Sequence, residues 1–220
     1  MAEQLPPLSV DELLTTTRTV RRRLDLERPV SREVVEECLR IGFQAPNGSN
    51  LQLYDWVLVD DPGLRSAMGD IYRGGLEAQL AASARAERAK TPSPYPDTTA
   101  QRRISASVYH LIERMQDVPV LVVPTLSGRM EGRSIFDQAS RWGSVIPTVW
   151  NFMLALRSRG LGSAWTTIHL HREEDMADLL GIPYQRVTQV GLFPVAYTIG
   201  TDFQPADRSL AEEKIHWNAW

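Results

Sequence analysis

Six consecutive residues, Val118-Pro119-Val120-Leu121-Val122-Val123, carry no polar side chain. A half-exposed strand would alternate, so an unbroken apolar run this short reads as a central strand covered on both faces. The rest of the chain must then supply the covering layers, and its patterns are mostly helical. Ser9 with Glu12 makes a capping box that opens a short helix over residues 10–17. Residues 31–44 form an amphipathic helix, with Val34, Cys38 and Ile41 in one stripe and Val35 and Leu39 beside it. Residues 55–59 read as a strand ahead of the turn signal Asp60-Asp61-Pro62-Gly63.

Residues 64–90 read as an alanine-rich helix, and Pro92, Pro94 and Pro96 make 91–98 a loop. A helix near 100–115 leads into the apolar run. Residues 142–159 give the longest expected helix, with Val145, Val149, Phe152 and Leu156 on one face and Gly160 as its cap. A strand over 161–167 follows, then a short helix over 171–180 closed by Gly181-Ile182-Pro183. A last long strand covers 187–197, where Pro194 marks an edge or a bulge. Four or so strands among six or more helices make an α+β layer arrangement.

At 220 residues, without repeats or an obvious linker, the chain fits one domain. A net charge of −3 gives no reason to expect nucleic acid or an acidic membrane surface as partner. No apolar run reaches a membrane span, and the first residues lack the apolar core of a signal peptide, so the cytoplasm is the expected address. Cys38 is the one cysteine and reads as a buried thiol on a helix face.

Three segments carry chemistry. In Arg18-Thr19-Val20-Arg21-Arg22-Arg23, two or three guanidinium groups could hold a phosphate, each charged hydrogen bond contributing about 1.5–3 kcal/mol. The same residues also suit a solvated charged turn, partly neutralised by Asp25 and Glu27. In Ala45-Pro46-Asn47-Gly48-Ser49-Asn50-Leu51-Gln52, side-chain amides offer donors and acceptors to a flat heteroaromatic ring, and Gly48 admits close backbone approach. A plain helix-to-strand turn has the same composition. In Arg159-Gly160-Leu161-Gly162-Ser163-Ala164-Trp165-Thr166-Thr167, two glycines stand before a strand. A dinucleotide fingerprint needs strand, glycines, then helix, so the Rossmann reading fails.

Other classes find little support. His169 and His171 would share a strand face, but no carboxylate or cysteine cluster accompanies them, and no metal is expected. Ser107, Ser140 and Ser144 have no assignable catalytic partners. Trp217 and Trp220 sit in a tail too short to bury them, so they should dock on this subunit or a neighbour.

In this order, the three segments resemble the FMN-dependent nitroreductase family. Its members carry an Arg-Ser-x-Arg segment, an Ala-Pro-Ser-x-x-Asn-x-Gln-Pro-Trp loop and a Gly-Leu-Gly-Ser/Thr turn. The tail from Arg208 to Trp217 is similar as well, and the likeness runs from about residue 10 to 217. It departs at Thr19 and Asn47, where the family has serine, and at Leu53-Tyr54, where it has Pro-Trp.

The resemblance implies one α+β domain over 1–220, with a central, mostly antiparallel sheet flanked by helices and a homodimer holding FMN at the subunit interface. It places Arg18, Thr19, Arg21, Arg22 and Arg208 on the FMN phosphate. Pro46, Asn47, Gly48 and Asn50 would meet the ring or ribityl chain from the other subunit, and Trp165, Thr166 and Thr167 would lie along the ring edge. NADH or NADPH would supply hydride, and a nitroaromatic, quinone or similar flat acceptor would take it. No side chain receives a catalytic role, because flavin N5 carries the chemistry. Segment 64–105 would cover the site, and the 202–220 tail would pack on the partner. Flavin sequestration without turnover, and related flavin chemistry such as dehalogenation, stand as the alternatives.

Overall fold

The computed structural model describes residues 8–88, 98–206 and 214–220. Its centre is β2 (Val120–Ser127), the expected apolar strand, displaced two residues toward the C-terminus and extended through Pro124. Along one side runs β1 (Tyr54–Val59), antiparallel, with Tyr54 opposite Leu126 and Val59 opposite Leu121. The other side is shared. β5 (Phe193–Tyr197) pairs with Val120–Val122, and β4 (Val187–Gln189) pairs with Thr125–Ser127. β3 (Leu161–Ser163) pairs with the far side of β5. Every ladder is antiparallel, and the order is β1-β2-β5-β3 with β4 branching from β2.

Two expectations about strands are corrected. The long strand over 187–197 is two strands, because Leu192 exchanges both backbone hydrogen bonds with Thr166 (3.1 and 2.8 Å) instead of pairing with β2. The strand over 161–167 stops at Ser163 for the same reason: beyond it only Thr166 keeps a bridge, and residues 168–172 coil into a 3-10 turn. Each proline sits in a continuous ladder on one side, Pro124 opposite Trp56 and Pro194 opposite Leu121, and at a break in pairing on the other. Pro124 lies at the gap between the β5 and β4 pairings, where its carbonyl accepts the Val190 N–H at 2.9 Å and no N–H is needed. Pro194 lies between the Ser163–Val195 pair and the Thr166–Leu192 bridge.

Six α-helices flank the sheet among the described residues. α1 (Val10–Thr16) has the expected capping box, Ser9 and Glu12 bonding reciprocally. α2 (Arg32–Gly42) buries Val35, Cys38, Leu39 and Gly42, while Ile41 is exposed. The buried stripe is therefore rotated from the expected Val34–Cys38–Ile41 line. Gly42 explains the rotation: a Cβ there would stand 3.1 Å from the Thr148 carbonyl, so α2 approaches its neighbour along that edge. Cys38 is buried as expected, and burial pushes its thiol up to about 11.

α3 (Pro62–Arg88) has 27 residues and is longer than α5 (Ile135–Ser158), which has 24. α5 begins at Ile135 rather than residue 142, capped by the Ser134 side chain. Its first turn leaves Ile135 and Phe136 in solvent, so no buried stripe marked it. α4 (Thr99–Arg114) is capped by Thr98, and α6 (Glu173–Leu180) ends at Gly181 with φ 68°, a left-handed cap. The expected helix start at residue 171 is taken by the 3-10 turn. The proline loop over 91–97 lies outside the described residues.

The apolar run is apolar because both faces of β2 are covered. Val120, Val122 and Leu126 pack with Val35, Val149 and Phe152 from α2 and α5. Leu121 and Val123 face Met68, Tyr72, Leu111 and Met176 from α3, α4 and α6. No described helix is long and apolar enough to cross a membrane.

Candidate functional site

The arginine segment is held to the sheet by its backbone. Thr19 bridges Ser163 in parallel, the Val20 N–H donates to the Ser163 carbonyl at 2.9 Å, and Leu24 pairs with Thr198. Val20 and Leu24 point into the core beneath α3 and α4. This docking needs Gly162, since a Cβ there would stand 2.9 Å from Val20 Cγ2. Two motifs more than 130 residues apart thus become neighbours. Gly162 leaves room for the side chains of Val20 and Thr198, while Gly160 turns the chain at φ 74° and its carbonyl accepts the Thr198 N–H at 2.9 Å.

Arg21, Trp165, Thr166 and Thr167 line one cavity of about 470 Å³ whose other walls come from α3, α4 and the 168–172 turn, among them Tyr72, Ile104, Tyr109 and His171. That size falls within the range of small-molecule and cofactor sites. Thr19, Arg21, Arg22 and Arg23 also line a smaller cavity of about 180 Å³ with Ser107 and Phe203.

The arginines divide into two kinds. Arg23 is committed to the fold: Nε donates to the Ile199 carbonyl at 2.7 Å, Nη2 meets Asp202 at 2.6 Å, and the guanidinium lies 4.3 Å over Phe203. Arg21 is half-buried, donates Nη1 to Ser107 Oγ at 3.2 Å, and keeps a buried Nε without a partner. Burial lowers its pKa, and the Tyr72 hydroxyl opposes that shift. Arg22 makes one long bond to the Ala106 carbonyl, 3.4 Å. Arg18 has no hydrogen bond or ion pair among the described residues. A desolvated cation without a carboxylate is costly, and an anionic ligand relieves that cost. Arg208 lies outside the described residues.

The third segment is partly committed too. Thr166 Oγ1 donates to the Leu192 carbonyl at 2.6 Å, and the Trp165 ring packs on Phe193 at 5.2 Å. Thr167 is the exposed member. The Pro46–Asn50 loop does not line the large cavity. Its Gly48 N–H donates to Ser144 Oγ on α5 at 2.9 Å, and Gly48 lines a separate pocket of about 280 Å³ with Phe136 and Ser140. Ser49, Asn50 and Gln52 all have left-handed φ values of 54°, 54° and 47°. Each costs about 1–2 kcal/mol for a residue with a Cβ, and strain of this kind collects at ligand-binding segments. Asn47 Oδ1 accepts the Gln52 N–H at 3.3 Å and holds the loop in shape.

The two histidines do not share a face, because they lie in a 3-10 turn and not on a strand. His171 lines the large cavity. His169 is fully buried beside Gln189, both ring nitrogens lack partners, and burial lowers its pKa to about 4. Among the described residues no group of three or more His, Cys, Asp or Glu side chains could hold a metal. Sequence reasoning missed Tyr72, Tyr109 and Ser107 as cavity residues. They sit on amphipathic helices at positions that carry no motif.

An antiparallel sheet with flanking helices, and a cation-bearing cavity beside the Gly-Leu-Gly turn, define a nitroreductase-like α+β protein. The chain belongs to the nitroreductase family, whose model matches residues 14–197. Among solved structures, a BluB-like flavoprotein from Clostridium difficile 630 is similar with a TM-score of 0.71 and 16% identity, covering 96% of this chain and 99% of that one. The FMN and NADPH-dependent nitroreductase NfnB from sphigopyxis sp. strain HMH gives 0.67 and 18%, covering 97% and 100%. Iodotyrosine deiodinase bound to FMN and 3-iodo-L-tyrosine gives 0.64 and 19%, covering 90% and 92%. These likenesses show the fold. No curated protein matches the chain at a significant level.

Proposed function

We propose that the chain is an FMN-dependent oxidoreductase that uses NADH or NADPH to reduce nitroaromatic, quinone or similar flat acceptors by two-electron transfer. The observation that carries this reading is the buried, unpartnered Nε of Arg21 at a cavity shared with Trp165–Thr167. Family membership supports it, as do relatives whose names include FMN and NADPH.

The residues present fit the cofactor. Arg18, Thr19, Arg21 and Arg22, with Arg208 from the tail, would hold its phosphate through charge-assisted hydrogen bonds. Trp165, Thr166 and Thr167 would line the ring edge. When bound, FMN supplies a ring that accepts hydride from a reduced nicotinamide and passes it to an acceptor. The chain would contribute orientation, and the parts of α3 and α4 within segment 64–105 would cover the bound ring. No side chain is assigned an acid or base role.

The strained loop with Pro46, Asn47, Gly48 and Asn50 lines a different pocket of its own chain, which supports its meeting the cofactor of a second subunit. A homodimer also covers the exposed apolar start of α5, where Ile135 is 87% and Phe136 79% exposed. The 202–220 tail, with Trp217 and Trp220 in solvent, would pack on that partner, and the assembly would work in the cytoplasm.

The test is an absorbance spectrum of purified protein followed by anaerobic titration with NADPH and NADH. A yellow protein that bleaches with a nicotinamide supports the reading. FMN-bound protein that bleaches with neither overturns it in favour of sequestration.

A further inference from the structure

We propose that Ser107 is a positioning residue that fixes the Arg21 guanidinium and ties α4 to the cofactor's anionic end. The inference rests on the flavin reading above. Ser107 Oγ donates its only proton to the Ile104 carbonyl at 2.7 Å, one turn back along α4. Its lone pairs therefore face outward, and Arg21 Nη1 donates to them at 3.2 Å. Next to it, the Ala106 carbonyl accepts Arg22 Nη2 at 3.4 Å. Two adjacent arginines thus converge on two adjacent residues of one helix.

The arginine backbone is already fixed to β3 through the Val20–Ser163 hydrogen bond. Only the side chains remain to be placed, and Ser107 sets one edge of the Arg21 fork while Nε stays unpartnered. Ser107 lines the small cavity with Thr19, Arg21 and Arg22, so it stands where an anion would sit. The same helix presents Ile104, Val108 and Tyr109 to the large cavity. An anion that orders Arg21 therefore also orders the helix on the acceptor side.

Two variants separate the hydroxyl from the space it fills. Alanine is the better helix former, which offsets part of the lost Arg21 hydrogen bond, so S107A keeps its fold. S107A is expected to raise the FMN Kd about three- to tenfold, less than loss of a direct charged hydrogen bond, because Ser107 acts on the ligand only through Arg21. S107T keeps a hydroxyl and should bind within about twofold of the parent, since the same oxygen remains available to Arg21. In cofactor-free protein, nitrogen relaxation of the Arg21 Nε–H should report greater mobility in S107A than in the parent or S107T. An S107A protein with parental FMN affinity and parental Arg21 relaxation overturns the proposal. So does an S107T protein as weak as S107A. If the parent takes up no FMN, the flavin reading fails and Arg21 relaxation alone decides the role of Ser107.

Discussion

Val20 occupies the space that a side chain at position 162 would need: a Cβ on Gly162 would stand 2.9 Å from Val20 Cγ2 and 3.0 Å from its Cβ. The contact joins the arginine segment to the turn before Trp165. Both are backbone-anchored there, so neither can retreat cheaply. Gly162→Ala should therefore destabilise the protein by about 1–3 kcal/mol, the usual cost of overpacking a close contact. It should also weaken FMN binding by displacing Arg21. Urea unfolding at matched m-values checks the first effect and FMN titration the second.

Arg21 and Arg23 should behave differently on truncation. Arg21→Ala removes a charged donor from the cavity and should weaken FMN by about tenfold or more, given 1.5–3 kcal/mol for a charged hydrogen bond. Arg23 donates to the Ile199 carbonyl, pairs with a largely exposed Asp202 and lies over Phe203, so Arg23→Ala should cost about 1–3 kcal/mol of stability. Its FMN affinity should stay near that of the parent. Equal losses of affinity in the two variants would contradict this division.

His169 makes stability depend on pH. Its pKa falls from an ordinary 6.5 to about 4 in the folded chain because burial disfavours the charged ring. The unfolded chain therefore binds a proton between those values that the folded chain refuses. Stability is complete above pH 6.5 and declines as pH drops toward 4, by up to about 3 kcal/mol from this group. His169→Leu should flatten the decline in that window, measured as urea midpoints from pH 7 to pH 4.

Ile135 and Phe136 open α5 in full solvent. The proposed homodimer would cover them, so Phe136→Glu should convert the assembly toward monomer and lower FMN affinity with it. Sedimentation velocity at two protein concentrations reads the change. A parent that sediments as a monomer at every concentration contradicts the dimer.

Much of the layered fold was legible because its signals are local. The apolar run marked β2, Ser9 with Glu12 marked α1, and Gly181 marked the end of α6. What was not legible depended on long-range pairing. Nothing in 187–197 announces that Leu192 turns away from β2 to bond Thr166. The first turn of α5 hid because Ile135 and Phe136 are exposed, so no apolar stripe betrayed it. The site followed the same rule. Arg21 and Trp165–Thr167 were readable as motifs and meet at one cavity, while Tyr72 reaches that cavity, and Ser107 the smaller one beside Arg22, only through the packing of α3 and α4.

Phosphate binding by the guanidinium groups of the first segment is the central proposal. Titration of cofactor-free protein with FMN and, separately, with riboflavin tests that directly, since the two differ only in the phosphate. Two or three charged hydrogen bonds predict FMN binding at least about a hundredfold tighter than riboflavin. Equal affinities, or no uptake of either, would contradict it.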